Sequence, residues 1–129
     1  MKLEHVALNV AAPAQAAEWY VKNLGMNIVH QRDSAPFVHF IADESGQICI
    51  EFYYDPPDQV PNYAEMDPLL LHIAFVSNDP TLDQEKLIAA GATLVSDKTT
   101  PEGTRLVMLR DPWGLPLQLC KRSKPMLRV

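Results

Sequence analysis

The sequence predicts an α+β fold built from two paired β-α-β-β-β modules, and three observations predict it. Short apolar runs with strand-like alternation are interrupted by only two stretches of helical character, one early in each half of the chain. The order strand, helix, three strands then occurs twice. Finally, one offset of 67 residues carries His5-Val6-Ala7-Leu8 onto His72-Ile73-Ala74-Phe75, and Ile50-Glu51-Phe52 onto Leu117-Gln118-Leu119. The 46-residue interval from His5 to Glu51 therefore recurs from His72 to Gln118.

Leu3–Asn9 reads as the first strand. Pro13 suits the first turn of a helix, where its missing N–H costs little. Ala14–Asn23 continues that helix with Ala, Trp and Tyr on an amphipathic pattern, and Leu24-Gly25 stops it. Three strands follow at Met26–His30, Phe37–Ala42 and Gln47–Tyr54, divided by Arg32–Pro36 and by Asp43-Glu44-Ser45-Gly46. Asp55–Asp67 holds three prolines without periodicity and reads as a linker. Beyond it, Leu69–Val76 reads as an apolar strand. Pro80–Ala90 is the second helix, with Asp79 as its cap and Gly91 as its stop. Strands at Thr93–Val95, Thr104–Leu109 and Leu115–Lys121 complete the repeat. The modules are thus 1–54 and 68–121, joined by linker 55–67. A chain of 129 residues that is 47% hydrophobic can fill one core but not two, so 1–129 is expected to be one domain.

Charge and composition exclude several function classes. Eleven basic side chains against sixteen acidic ones, a net charge of -5, leave no broad cationic surface for a phosphate backbone, so nucleic acid is not an expected partner. Lys121, Arg122, Lys124 and Arg128 form a basic tail of the kind that is usually solvated. Cys49 and Cys120 cannot make a dense disulfide framework, and the N-terminus lacks the pattern of a signal peptide. No apolar run reaches the roughly 18–20 residues that span a bilayer. These features predict a soluble, cytoplasmic protein that does not enter a membrane.

Strand alternation separates two sets of side chains. Val6, Leu8, Ile50, Phe52, Ile73, Phe75, Leu117 and Leu119 are expected to face the helices. His5, Glu51, His72 and Gln118 then point the other way. If the modules lie side by side and curl their eight strands around a central groove, two imidazoles, a carboxylate and an amide oxygen converge there. Two neutral histidines and a glutamate are a common ligand set for a divalent metal. Such a metal would also relieve the cost of an unpaired carboxylate between Ile50 and Phe52.

Other residues are candidates for contact with a ligand. Tyr53 shares the alternating face of Glu51, where its hydroxyl can orient an oxygenated substrate or its ring can simply pack. His39 faces either the groove or the helices. Arg105 and Arg110 suit a carboxylate or phosphate, or pair with nearby acids. Cys49 and Cys120 alternate toward the groove, but neither has the neighbouring base of a nucleophile. His30 lies at a strand end. Trp19 and Tyr20 read as packing residues, and Asp111-Pro112-Trp113-Gly114 as a tight turn before the last strand. Gly46 and Gly114 are isolated and form no phosphate-binding loop.

The segments Glu4-His5-Val6-Ala7-Leu8-Asn9-Val10, Trp19-Tyr20, Asn23-Leu24-Gly25-Met26, Ile50-Glu51-Phe52, Leu71-His72-Ile73-Ala74-Phe75-Val76, Leu87 to Gly91-Ala92 and Asp111-Pro112-Trp113-Gly114-Leu115-Pro116-Leu117-Gln118-Leu119 resemble the vicinal oxygen chelate superfamily. Its members include glyoxalase I, extradiol dioxygenases, methylmalonyl-CoA epimerase and antibiotic-resistance proteins. The resemblance covers nearly the whole chain. It implies a glyoxalase-like fold, a homodimer with grooves formed within a chain or between exchanged units, and a divalent cation that is Ni, Zn, Co, Mn, Mg or Fe. His5, Glu51 and His72 fall on its metal-ligand positions. Gln118 stands where the second module usually offers a glutamate, and it cannot accept a proton at physiological pH. Glu51 is then the one carboxylate available to act as a base. The implied activity is a metal-dependent lyase or isomerase on a small vicinal-oxygen substrate. The alternatives are a noncatalytic small-molecule binding or resistance protein and a metal-dependent dioxygenase, the last less natural because its carboxylate would come from the second module.

Overall fold

The computed structural model describes residues 1–127, which divide into two compact units meeting between Pro61 and Asn62. The fold class is α+β. In the first unit, strand β1 (His5–Asn9) leads into helix α1 (Pro13–Leu24), followed by β2 (Asn27–Gln31), β3 (His39–Ala42) and β4 (Cys49–Tyr53). In the second, β5 (Ile73–Val76) leads into α2 (Pro80–Ala89), then β6 (Thr93–Thr99), β7 (Arg105–Arg110) and β8 (Pro116–Lys121). Each unit forms a four-stranded mixed sheet, ordered β1-β4-β3-β2 and β5-β8-β7-β6. The first and last strands of each unit pair in parallel and the others antiparallel. Element order and sheet order are therefore both duplicated.

Local chemistry accounts for the helix ends. Pro13 and Pro80 begin the two helices, and Gly25 closes α1 in the left-handed region at φ 67°. The Asp79 carboxylate accepts the Leu82 N–H at 3.1 Å, satisfying one of the free donors at the start of α2. In the first unit the core lies between α1 and one face of its sheet. Tyr20 is fully buried there against Phe52, ring centroids 5.4 Å apart, with Ala16, Ala17, Leu8 and Ile41 buried as well. In the second unit Leu87, Val107, Leu109, Leu117 and Leu119 are buried. Val6, expected among the core residues, is exposed instead.

Two elements differ from the sequence expectation. The strand predicted from Leu69 begins only at Ile73, because the Asp67 carboxylate accepts the Leu69 N–H at 2.9 Å and its carbonyl accepts the Leu70 N–H at 3.0 Å. That turn takes the backbone out of strand geometry and leaves Leu69 and Leu70 80% and 78% exposed. The strand predicted at Thr93–Val95 instead runs on to Thr99. Its continuation, Ser96-Asp97-Lys98-Thr99, is polar, but its pairing with β7 satisfies the backbone regardless of hydropathy.

The linker is partly ordered into two single 3-10 turns, Pro57–Gln59 and Tyr63–Glu65, one in each unit. In the first unit the Asn9 side chain donates to Pro56 O at 2.9 Å and accepts the Asp55 N–H at 3.0 Å. In the second, the Arg110 guanidinium donates to Tyr63 O at 2.6 Å, Met66 O at 2.7 Å and Gly114 O at 3.2 Å. Gly114, at φ 90°, sits so close to the Tyr63–Glu65 turn that a Cβ there would lie 2.7 Å from the Ala64 backbone. No helix among the described residues is long and apolar enough to cross a membrane.

Candidate functional site

Strand register decides which side chains share a face. In the first unit Glu51 is aligned with Ala7 on one side and Phe40 on the other, and Phe40 with His30. His5, two residues before Ala7, and Tyr53, two after Glu51, share that face by alternation. It is the face opposite the one carrying Phe52 against α1. In the second unit Gln118 is aligned with Ala74 and Met108, and Met108 with Ser96. His72 precedes Ala74 by two, as His5 precedes Ala7. The residues expected as ligands therefore occupy matching positions in the repeat, with His5, Glu51 and Gln118 on helix-free faces and His72 just ahead of β5.

Within the first unit the pair is in contact. His5 Nε2 lies 3.4 Å from Glu51 Oε2, with the His5 side chain 37% exposed and the Glu51 side chain 17%. His5 Nδ1 is bound by the Glu4 carboxylate, and the His5 ring meets Phe40 edge-on at a centroid distance of 5.4 Å. His30 approaches the same Phe40 ring at 6.1 Å. In the second unit His72 Nδ1 donates to Pro68 O at 2.8 Å. Gln118 Oε1 accepts a hydrogen bond from Cys120 Sγ at 3.1 Å. Burial pushes the Cys120 thiol above its ordinary range, so it remains an S–H donor at neutral pH.

The chemistry of these donors fits a divalent cation. Both histidines engage an oxygen acceptor through Nδ1, an arrangement that in a neutral ring puts the proton there and the lone pair on Nε2; in His5 that Nε2 faces the Glu51 carboxylate. Metal-bound histidines are typically oriented in this way by a carboxylate or carbonyl. Each unit by itself presents only two of the four donors. No group of three or more His, Cys, Asp or Glu side chains suited to a metal ion is gathered among the described residues.

Two residues considered for contact with a ligand do not share the face of Glu51 and Gln118. His39 is aligned with Phe52, on the helix side, and is buried. The residue aligned with the equivalent Leu119 is Val107, a core valine, so His39 fills a core position. Its Nδ1 donates to Phe37 O at 2.7 Å, bracing a turn in which Phe37 adopts φ 59°. Arg105 shares the face of Val107, not that of Gln118. Its guanidinium is occupied by Asp97, through bonds of 3.0 and 2.7 Å, and by Thr81 Oγ1 at 2.6 Å. That hydrogen bond to Arg105 also holds the Asp97 carboxyl below its ordinary value. Arg110, the other arginine considered, is taken up by backbone carbonyls as described above. Tyr53 does share the face of Glu51.

Phe40 and Glu4 were not singled out by sequence. Glu4 was visible as the neighbour of His5, but its bond to Nδ1 depends on a rotamer. Phe40 alternates with His39, so one residue of register decides which of them faces Glu51.

The chain matches the Glyoxalase/Bleomycin resistance protein/Dioxygenase superfamily over residues 2–119. Among solved structures it is similar to a member of that superfamily from Sphaerobacter thermophilus DSM 20745, with TM-score 0.74, 17% identity, and coverage of 95% of this chain and 98% of the other. It is also similar to TnmS3, an antibiotic binding protein from Streptomyces sp. CB03234, with TM-score 0.71, 18% identity, and coverage of 92% and 93%. A glyoxalase family protein from Enterococcus faecalis gives TM-score 0.71, 22% identity, and coverage of 93% and 97%. At these identities the likeness concerns the fold. No curated protein matches the chain significantly.

Proposed function

Because this chain belongs to the glyoxalase/bleomycin resistance protein/dioxygenase superfamily, we propose that it is a metal-dependent lyase or isomerase acting on a small substrate with neighbouring oxygens. His5, Glu51 and His72 are the proposed cation ligands, with Gln118 at the fourth position. The observation that carries this reading is the pair of Nδ1-anchored histidines, one of them with its Nε2 3.4 Å from the Glu51 carboxylate. A divalent cation bound by these groups would hold the substrate oxygens and stabilise negative charge developing on them. Glu51, the one carboxylate in the set, would take and return the proton, which requires it to leave the cation during turnover. Gln118 has no proton-accepting capacity, which makes the proton transfer one-sided. Tyr53, on the face of Glu51, contributes a hydroxyl for orienting the substrate. A homodimer is part of the proposal, to be measured by sedimentation.

Elemental analysis of protein purified without added metal tests this reading, combined with turnover before and after chelation. The expected result is stoichiometric Ni, Co, Zn, Mn, Mg or Fe and activity lost with it. Full activity in metal-free protein overturns the proposal.

A second reading, a noncatalytic binding or resistance protein, is favoured by two observations. Gln118 replaces the second carboxylate that proton transfer in both directions would use, and the similar TnmS3 is described as an antibiotic binding protein. It predicts ligand held without chemical change. Metal-dependent conversion of any one ligand excludes it.

A further inference from the structure

We propose that the helix-free face of the first unit binds a flat aromatic ring, laid on Phe40 and donating a hydroxyl or amine hydrogen to Glu51. The inference names a substrate class for the small-molecule reading that both proposals above share, and rests on it, but it requires no cation. Across the sheet order β1-β4-β3-β2 this face carries His5, Glu51, Phe40 and His30 in turn. Phe40 is half-buried, with the His5 ring edge-on to it at 5.4 Å and the His30 ring at 6.1 Å. Three rings are thus gathered beside one carboxylate, within a single unit. Aromatic surface held partly in water gains from contact with another ring, through apolar burial and through the fit of the two ring quadrupoles.

The carboxylate decides what the ring must carry. None of the strands β1 to β4 contains a Lys or Arg, so the sheet supplies Glu51 with no permanently charged partner. His5 Nε2 approaches it at 3.4 Å, longer than a strong charge-assisted hydrogen bond. Aligned residues on neighbouring strands hold their Cβ atoms about 5 Å apart, and Phe40 is aligned with Glu51. A ring lying on Phe40 therefore brings a substituent on its edge within reach of the carboxylate, which accepts from an O–H or N–H and repels an anion. The second unit offers no equivalent: its row is Ala74, Gln118, Met108 and Ser96, without a ring or a charge. The ligand class is a planar aromatic alcohol or amine, not an aliphatic or anionic compound.

Three probes separate the ring from the donor: 2-naphthol, its saturated counterpart decahydro-2-naphthol, and 2-methoxynaphthalene, which keeps the rings but donates nothing. Each is titrated by NMR into metal-free protein with EDTA present, so the outcome is independent of metal content and its failure leaves the metal-dependent reading to elemental analysis. 2-Naphthol is expected to shift the amides of His30, Phe40 and Glu51. It should bind about fivefold more tightly than the saturated compound and about tenfold more tightly than the methoxy compound. Phe40→Leu is expected to lower 2-naphthol affinity by about fivefold and to leave decahydro-2-naphthol unchanged, while Phe40→Tyr, which keeps the ring, stays within about twofold of the parent. 2-Naphthol bound no more tightly than either other compound, or equally well by the parent and Phe40→Leu, overturns the inference. So does a parent that binds none of the three, or whose shifted amides all lie outside this face.

Discussion

The two units share a topology but not a chemistry. Along one sheet the helix-free face runs Ala7, Glu51, Phe40, His30; along the other it runs Ala74, Gln118, Met108, Ser96. Each histidine preceding these rows is anchored at Nδ1 by an oxygen, so that feature is duplicated. The titratable groups are not: Glu51 and His30 have only Gln118 and Ser96 opposite them in the repeat. A duplicated scaffold thus supplies equivalent positions, and the side chains at those positions divide the work. At the matching position one row carries a carboxylate and the other an amide.

The largest expected effect comes from making the faces alike. Glu51→Gln removes the one carboxylate and is expected to lower turnover by about 10²–10⁴-fold, the usual contribution of a positioned base. Steady-state rates at matched metal occupancy check it. Loss of less than tenfold would mean that the two faces are chemically equivalent after all.

Next come the turns before the last strand of each unit. Gly114→Ala places a Cβ 2.7 Å from the Ala64 backbone at φ 90°, and is expected to destabilise the chain by about 3 kcal/mol. Gly46→Ala meets nothing within 4 Å and carries only the strain of φ 63°, so about 1 kcal/mol is expected. Urea unfolding of the two variants measures the difference, and equal losses would remove the distinction.

The linker anchors differ in the same sense. Arg110→Ala leaves the Tyr63 and Met66 carbonyls without their charged donor, at an expected cost of about 2 kcal/mol. Asn9→Ala, which releases two neutral hydrogen bonds at the other end, should cost about 1 kcal/mol. Limited proteolysis of residues 55–67 would show which end opens first.

The smallest effect belongs to the Asp97–Arg105 pair, present only in the second unit. Arg105 holds the folded Asp97 carboxyl below its ordinary value of 3.8. The unfolded chain therefore takes up the proton more readily. The stabilisation is complete above the unfolded value and disappears as pH falls through the lower folded one. Both groups are largely solvated, so Asp97→Asn should cost at most about 0.5 kcal/mol at neutral pH and nothing near about pH 2. Unfolding midpoints at the two pH values test it.

Much of the fold was legible because periodicity is a local property. Both helices, their prolines and all eight strands follow from it, as does the equal spacing from His5 to Glu51 and from His72 to Gln118. The exceptions have local causes of a kind that hydropathy does not report: the Asp67 turn shortened one strand, and backbone pairing extended β6 through polar residues. The face of a side chain was legible where a polar residue sat between two apolar residues of its strand, as Glu51 does between Ile50 and Phe52. It was not legible for His39, since adjacent residues of a strand face opposite ways and only pairing with Phe52 tells His39 from Phe40. Nor was it for Arg105, whose length and charge suit a ligand as well as they suit Asp97.

By itself, then, the sequence determined the duplication, the element order and the positions of His5, Glu51, His72 and Gln118, all of which depend on spacing along the chain. Tertiary structure alone decided which face His39 and Arg105 occupy, which atom of each imidazole is anchored by an oxygen, and that the amide oxygen of Gln118 is held by Cys120. Those outcomes depend on strand register and rotamer, which are set by contacts between residues distant in sequence or by packing that no local pattern encodes.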